Sequence, residues 1–408
     1  MRLFRYLSDF PSEIKTLPGS IKRVSFVMFL YMTAWGILDP FLTIYFHDLF
    51  GSYTKVAILT ALLYFFSLLA SLPFGDLADV VSKKKLMRIF LILYIPLGFI
   101  LALLSTFFQF ALFRIYHALL ATGLWSSAES YVRVNSPPHK ASESIGFFDS
   151  AISLSLVIGP VIGGILMAIF GIKSLFYVFS VFVVTALLIL PSMPNHHGIS
   201  NIWRGIKQIR NKKIFSFELT DFFGLPGMIT VSALSFISRS VAAGTLLVLP
   251  LFSDELEASF VVTGLIFAVF ALPTVFEAPF SVFADRFDRK KILIIGGLAA
   301  IVFFAAAFMS DGLVSLFILS LFIALALALI TPTIEGLATE LMPRHKIGEL
   351  NGVYRSVGLL AGACGSFIVG PIADKFSIQA PFLFGAAFMA VFLLMAIFLK
   401  LPDAPRSN

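Results

Sequence analysis

The sequence predicts an all-α membrane protein, with twelve transmembrane helices forming two six-helix bundles related by pseudo-two-fold symmetry. Three observations lead there: an apolar composition, twelve windows of membrane-spanning length, and an internal repeat. Of the 408 residues, 59% are hydrophobic and only 13% charged, against roughly 25% charged in an average soluble protein. So little polar surface cannot cover a water-soluble fold. The single cysteine, Cys364, excludes an intramolecular disulfide framework. No paired-Cys or Cys/His spacing suggests a metal site, and no cofactor motif is present.

About 20 apolar residues cross a hydrocarbon core about 30 Å thick. Windows of that length fall at 24–48, 54–78, 86–106, 108–131, 144–169, 172–192, 227–251, 259–283, 290–310, 313–340, 348–371 and 378–400. None shows the alternating pattern of a β-barrel, which leaves helices as the way to satisfy the backbone in lipid. Counting Lys and Arg by loop then sets the orientation. With the N-terminus in the cytoplasm, 24 of the 30 fall in cytoplasmic segments. The opposite side holds Lys55, Lys173 and Lys375, and Arg114, Arg239 and Arg355 lie within spans. That asymmetry is the positive-inside pattern. The net charge of +7 is therefore topological, and no nucleic-acid partner is implied. The N-terminal residues lack a secretory signal's apolar core and cleavage site, and are expected to form a cytoplasmic lead-in.

A constant shift of 206 positions superimposes scarce polar and helix-breaking residues along both halves without a gap. It pairs Asp48 with Asp254, Pro73 with Pro279, Asp79 with Asp285, and Lys84-Lys85 with Lys290-Lys291. It also pairs Glu129 with Glu335, Glu143 with Glu349, Gly146 with Gly352, Gly159 with Gly365, and Gly164 with Gly370. The expected organisation is a lead-in (1–23), a six-helix bundle (24–192), a linker with an interfacial segment (193–226), a second bundle (227–400) and a cytoplasmic tail (401–408).

Two loops carry a motif in register. One reads Gly75-Asp-Leu-Ala-Asp79-Val-Val-Ser-Lys83-Lys84-Lys85, the other Ser281-Val-Phe-Ala-Asp285-Arg286-Phe-Asp-Arg289-Lys290-Lys291. Both resemble the loop signature of the major facilitator superfamily, Gly-x-Leu-Ala-Asp-Arg-x-Gly-Arg-Lys. The fifth span holds Gly159-Pro160-Val-Ile-Gly163-Gly164, similar to the Gly-Pro-x-x-Gly-Gly signature of that superfamily's 12-helix drug:proton antiporters. Val80 and Ser82 depart from the first loop motif, Ser281 from the second, and Ser155 from the start of the span-5 signature. The resemblance covers essentially the whole chain. It implies two bundles of parallel repeats with the solute site at midplane between them, working by alternating access.

From the resemblance, the loop motif is expected to latch the cytoplasmic side. Asp79 would face the positive N-terminal end of span 11, where Arg355 adds a cation. By symmetry Asp149 would face Arg286 and Arg289. Glu129 and Glu335 are expected as structural partners of the motif cations Lys83 and Arg289. Gly159, Gly163 and Gly164 would let helices approach closely in lipid, and Pro160 would bend span 5.

Ionisable residues deeper in the spans cost on the order of 3 kcal/mol to insert and mark function. Asp39 precedes Pro40 in span 1 and has no counterpart in the second half, where the shift lands on Thr245. It is expected to alternate between holding a proton and pairing with a cationic solute, or else to be wetted or cap a Pro-broken turn. Arg114 and His117 share a face of span 4; Arg114 matches the membrane-embedded cation of the antiporters and would offset Asp39 or a bound anion. Arg239 and Glu277 are expected cavity residues, and Glu277 fits the cytoplasmic network beside Asp149 equally well. Tyr31, Trp35, Tyr64, Trp125 and Phe236 would supply an amphiphilic wall.

The expected protein is a monomeric, multi-pass secondary transporter of the cell membrane, exporting small amphiphilic or drug-like compounds against protons. The alternatives are a symporter importing a small organic anion on Arg114 and Arg239, and a carrier of lipid or lipid-linked solute. No Walker-type loop points to ATP. Neither His-Glu-x-x-His nor Gly-x-Ser-x-Gly occurs, which speaks against an enzyme.

Overall fold

The computed structural model describes residues 16–137, 140–194, 215–277, 280, 287–343 and 346–399. The loop-motif residues Asp285 and Arg286 lie outside them. In chain order the helices are α1 Gly19–Phe50, α2 Tyr53–Val80, α3 Lys83–Tyr94, α4 Leu97–Leu101, α5 Phe107–Asn135, α6 Ala141–Phe170 and α7 Ile172–Ile189. After the linker come α8 Phe215–Phe223, α9 Met228–Glu255, α10 Phe260–Ala271, α11 Arg289–Phe308, α12 Leu313–Leu341, α13 Ile347–Lys375 and α14 Ala380–Phe398.

Among the described residues, 10 helices are long and apolar enough to cross a membrane, and two of the twelve expected spans are interrupted. Span 3 is split into α3 and α4 by Pro96, which has no N–H to continue the ladder. Span 8 leaves the α conformation after α10 for a 3₁₀ turn, Leu272–Phe276, that begins at Leu272-Pro273.

Local chemistry sets the turns. α1 ends at Gly51, whose φ of 58° is the left-handed conformation that favours glycine, and its N–H bonds the His47 carbonyl at 2.8 Å. Only Gly51 and Ser52 separate α1 from α2, so the two run antiparallel. α5 opens with a capping box between Thr106 and Gln109. Asp288 caps α11 by accepting from the Lys290 and Lys291 amides at 2.9 and 3.3 Å. α1 and α9 are buried on nearly all sides, whereas in the other membrane-length helices fewer than half of the residues in the most apolar stretch are fully buried. That outer apolar surface, including Leu103, Leu188, Met309 and Val314, suits lipid rather than water.

The basic loops gather at one end, and two of their lysines have a role other than gating. Lys84, buried, donates through Nζ to the Pro191 carbonyl at 3.0 Å and to that of Met193. Lys290 donates to the Leu399 carbonyl at 3.1 Å. A shift of 206 maps Lys84 onto Lys290 and Met193 onto Leu399, so the same contact is made twice. Each lysine satisfies carbonyls left over at a helix C-terminus, where a cation also complements the dipole. The sequence placed both residues in a latch between halves, but the contacts each makes lie within its own half.

Packing between the halves differs at the two ends. Away from the basic loops, a Cβ on Gly164 would stand 2.5 Å from the Phe260 carbonyl, and one on Gly370 2.8 Å from the Thr54 Cα. The shift of 206 maps both members of one contact onto the other. Gly264 closes further on the Pro160 backbone. At the basic end, Gly75 and Gly146 face open space. Among the described residues, the closest backbone contacts between the halves therefore fall at the end away from the basic loops.

Lys84→Ala and Lys290→Ala should each destabilise the purified protein by about 1–3 kcal/mol, the penalty of stranding buried carbonyls. Thermal unfolding in detergent checks this, with Lys291→Ala expected within about 0.5 kcal/mol of wild type as an exposed surface change.

Candidate solute and proton site

Helices α1 and α5 run antiparallel and face each other through two rungs. In one, the Arg114 guanidinium stands 3.6 Å from the Asp39 carboxylate. In the other, the Trp35 and His117 rings stack at 3.6 Å between centroids, inclined by 8°. The register follows from helix geometry: Trp35 and Asp39 are four apart, Arg114 and His117 three apart, so each pair shares a face.

The rungs differ in access to water. Arg114 is only 1% exposed, whereas the Asp39 side chain is 48% exposed. At 3.6 Å the pair is an ion pair without a hydrogen bond, and Arg114 Nε and Nη1 find no acceptor. Arg114 also lies over the Phe46 ring, 5.3 Å from its centroid. The His117 rung is dry. The Tyr31 and Tyr94 hydroxyls bond at 2.8 Å, the Tyr94 hydroxyl also donates to the His117 carbonyl at 3.3 Å, and Phe179 meets Trp35 edge-on at 4.8 Å. His117 Nδ1 has no hydrogen-bond partner among the described residues. Tyr64 lies within electrostatic range of both Asp39 and Arg114. Its ring packs against Gly362 of α13, where a Cβ would come within 2.6 Å of it, so it carries the second half up to the rung.

A second polar cluster lies between the halves, nearer the basic end. Arg239 pairs with Glu335, donates to Ser235 Oγ at 3.2 Å, and lies over the Tyr354 ring at 5.8 Å. Glu129 holds Arg133 at 2.6 Å and also Arg355, a contact that joins α5 to α13. Asp149 makes no ion pair among the described residues but is exposed within electrostatic range of Glu129, Glu335, Arg355 and Arg133. Glu277 lies in range of Glu335, Asp149 and Arg239.

Several of these partners differ from those the sequence suggested. Arg355 joins Glu129 rather than Asp79, whose exposed carboxylate makes no ion pair among the described residues; Lys83 donates to the Asp79 backbone carbonyl at 3.2 Å. Arg289 pairs with Glu340 at 2.6 Å, a partner the sequence did not suggest. Of these pairs only Arg355–Glu129 spans the two halves; Arg289–Glu340 and Arg239–Glu335 each link two helices of the second half. Glu340, Arg133 and Tyr354 were missed from sequence, although Glu129 and Arg133 carry the four-residue spacing of a helix ion pair. Of the span-5 glycines, Gly159 backs onto Gly36, Gly163 onto Ile37 and Phe41, and Gly164 crosses to the other half. Pro160 lies inside α6 against Gly36 and Gly264.

Residues 24–238 and 228–408 each match the profile of the Major Facilitator Superfamily. The chain belongs to this superfamily. A relative along nearly its whole length is an uncharacterized MFS-type transporter of Methanocaldococcus jannaschii, 27% identical over 91% of this chain and 97% of the relative. A multi-drug resistance efflux pump PmrA homolog of Lactococcus lactis is 23% identical over 87% of this chain and 89% of its own. The crystal structure of the nucleoside transporter NupG shares the fold, with a TM-score of 0.74 at 16% identity over 93% of this chain and 99% of that one. Superfamily membership makes the protein a multi-pass membrane transporter and not an enzyme.

Removing Asp39 alone leaves a buried guanidinium without a counter-charge, while removing Arg114 leaves a carboxylate already half in water. Asp39→Asn should therefore destabilise more than the double variant Asp39→Asn/Arg114→Met, by about 1–3 kcal/mol after discounting for solvent access. Thermal unfolding of the three proteins in one detergent checks the order.

Proposed function

We propose that the protein is a proton-coupled exporter of small amphiphilic compounds, working by alternating access at a site between two six-helix bundles. The bundles are residues 24–192 and 227–400, related by pseudo-two-fold symmetry, with α3–α4 and the α10 segment as the two interrupted members of twelve spans. The protein sits as a monomer in the cell membrane with both termini and the basic loops in the cytoplasm, an orientation supported by the Lys/Arg asymmetry. In this conformation the vestibule then faces the cytoplasm.

The observation that carries the reading is the Asp39–Arg114 rung. A carboxylate half open to the vestibule can accept a proton or hold a cationic group, but the buried Arg114 opposite makes the two occupations mutually exclusive. With Asp39 ionised, the pair is neutral and a cationic solute can dock. With Asp39 protonated, Arg114 is an uncompensated cation that repels such a solute. Exclusive occupancy of one group by proton or solute is the physical requirement of exchange, because neither equilibrium can be satisfied while the other ligand is bound. The named efflux function of the Lactococcus relative supports the direction.

The test uses proteoliposomes with an imposed pH gradient and ethidium as probe. Ethidium entry into the acidic lumen should be accompanied by proton exit, and Asp39→Asn should reduce the coupled proton flux at least about ten-fold while Asp39→Glu retains it. Proton and probe moving the same way would favour the importing alternative, and unchanged flux in folded Asp39→Asn would remove Asp39 from the mechanism.

A further inference from the structure

The end opposite the basic loops is closed differently on its two flanks. α2 begins at Tyr53 with no acidic residue in its first turn, yet that turn is capped by an acid from the other half of the chain. The Asp374 carboxylate, near the end of α13, accepts from Ser52 Oγ at 2.8 Å, the Tyr53 amide at 2.8 Å and the Thr54 amide at 2.9 Å. The Lys55 amide is taken by Ser52 Oγ at 3.3 Å. A carboxylate at a helix N-terminus meets both unpaired N–H groups and the positive end of the dipole.

Tyr53 makes two further contacts, one across the boundary to α9 and one to α1 of its own half. The Tyr53 hydroxyl donates to Glu255 at the end of α9 at 2.9 Å, and the His47 ring stacks on Tyr53 with centroids 4.3 Å apart. Gly370 stands one turn before Asp374 on the same face of α13, and its missing side chain lets the helices close to the distance those bonds need.

The repeat-related flank has the packing without the lock. Gly164 meets Phe260 as Gly370 meets Thr54, but the shift of 206 places Ala168 where Asp374 stands. α10 is capped instead by its own Ser259, which accepts from the Val262 amide at 3.4 Å. One flank is thus held by directed, charge-assisted bonds, and the other by apolar contact alone.

We infer that Asp374, with Ser52 and Tyr53, is the lock that keeps this end closed, and that opening it requires breaking the α2/α13 flank while the α6/α10 flank merely parts. This rests on the alternating-access part of the function proposed above and is independent of proton coupling or solute identity. Three bonds to one carboxylate, two of them from main-chain amides, give way together when α13 tilts, so the lock is all-or-none. Among the described residues no comparable set of bonds joins α6 to α10.

The full-length protein in nanodiscs, without solute and with Cys364→Ser, would carry spin labels at Leu49→Cys and Phe376→Cys, exposed positions on opposite halves at this end. Asp374→Ala should raise the ratio of long to short label distances about ten-fold, as loss of a charge-assisted bond predicts. Asp374→Asn, which keeps the volume and one acceptor, and Tyr53→Phe should each raise it less, and Ser259→Ala should leave it at the wild-type value. An unchanged distribution in folded, monodisperse Asp374→Ala or Asp374→Asn would overturn the lock, as would an equal response to Ser259→Ala. If the distances shift as expected while ethidium-driven proton flux is absent, the lock stands and the exchange reading alone falls.

Discussion

Backbone contact across the middle of the chain is the constraint on which the rest of the structure depends. In lipid no hydrophobic force draws two helices together, so close approach relies on dispersion and polar contacts between small residues. Gly164 and Gly370 provide that approach between the halves, and Gly159 and Gly365 provide it within them. Because both inter-half contacts fall at one end, the other end is left to a few charged side chains.

The charges follow from this geometry. Where the halves touch, polar groups are satisfied by direct, well-aimed bonds such as those of Asp374. At the basic end, Arg239, Arg289 and Arg355 each reach a carboxylate that is partly exposed, and such pairs contribute little to stability. The Arg355–Glu129 pair, the one of the three that crosses between the halves, suits a boundary that opens and closes in the proposed cycle. Arg114, among the most deeply buried side chains described, is the exception and faces the Asp39 carboxylate of α1.

Much of the fold was legible in the sequence, because bilayer thickness and the cost of unsatisfied backbone permit few solutions. Helical spans, the basic side and the register of 206 all follow from positions of charges, prolines and glycines. The pairing of Lys84 with Met193 and of Lys290 with Leu399 obeys that same register, though its partners are main-chain carbonyls that no residue pattern marks. The Asp39–Arg114 rung could be suspected, since each is an ionisable residue inside an apolar run. The Trp35–His117 stack could not, because sequence does not say which aromatic of α1 faces which turn of α5. The charge partners at the basic end were least accessible. They depend on which turns of separate helices come within reach of one another, and a single chain read linearly contains no measure of that distance.

The interruption at Pro96 has a consequence for mechanics. α3 is anchored at its start by Lys84 to the end of α7, and its continuation α4 packs against the same helix, where Gly98 lies on the Phe176 carbonyl. A break in an unsupported helix would be a flexible joint, but this one is splinted on both sides to a single neighbour. Force applied at the basic end therefore passes through α7 rather than bending at the proline. In the proposed cycle this splint would keep the first half stiff and hold Asp39 at its distance from Arg114.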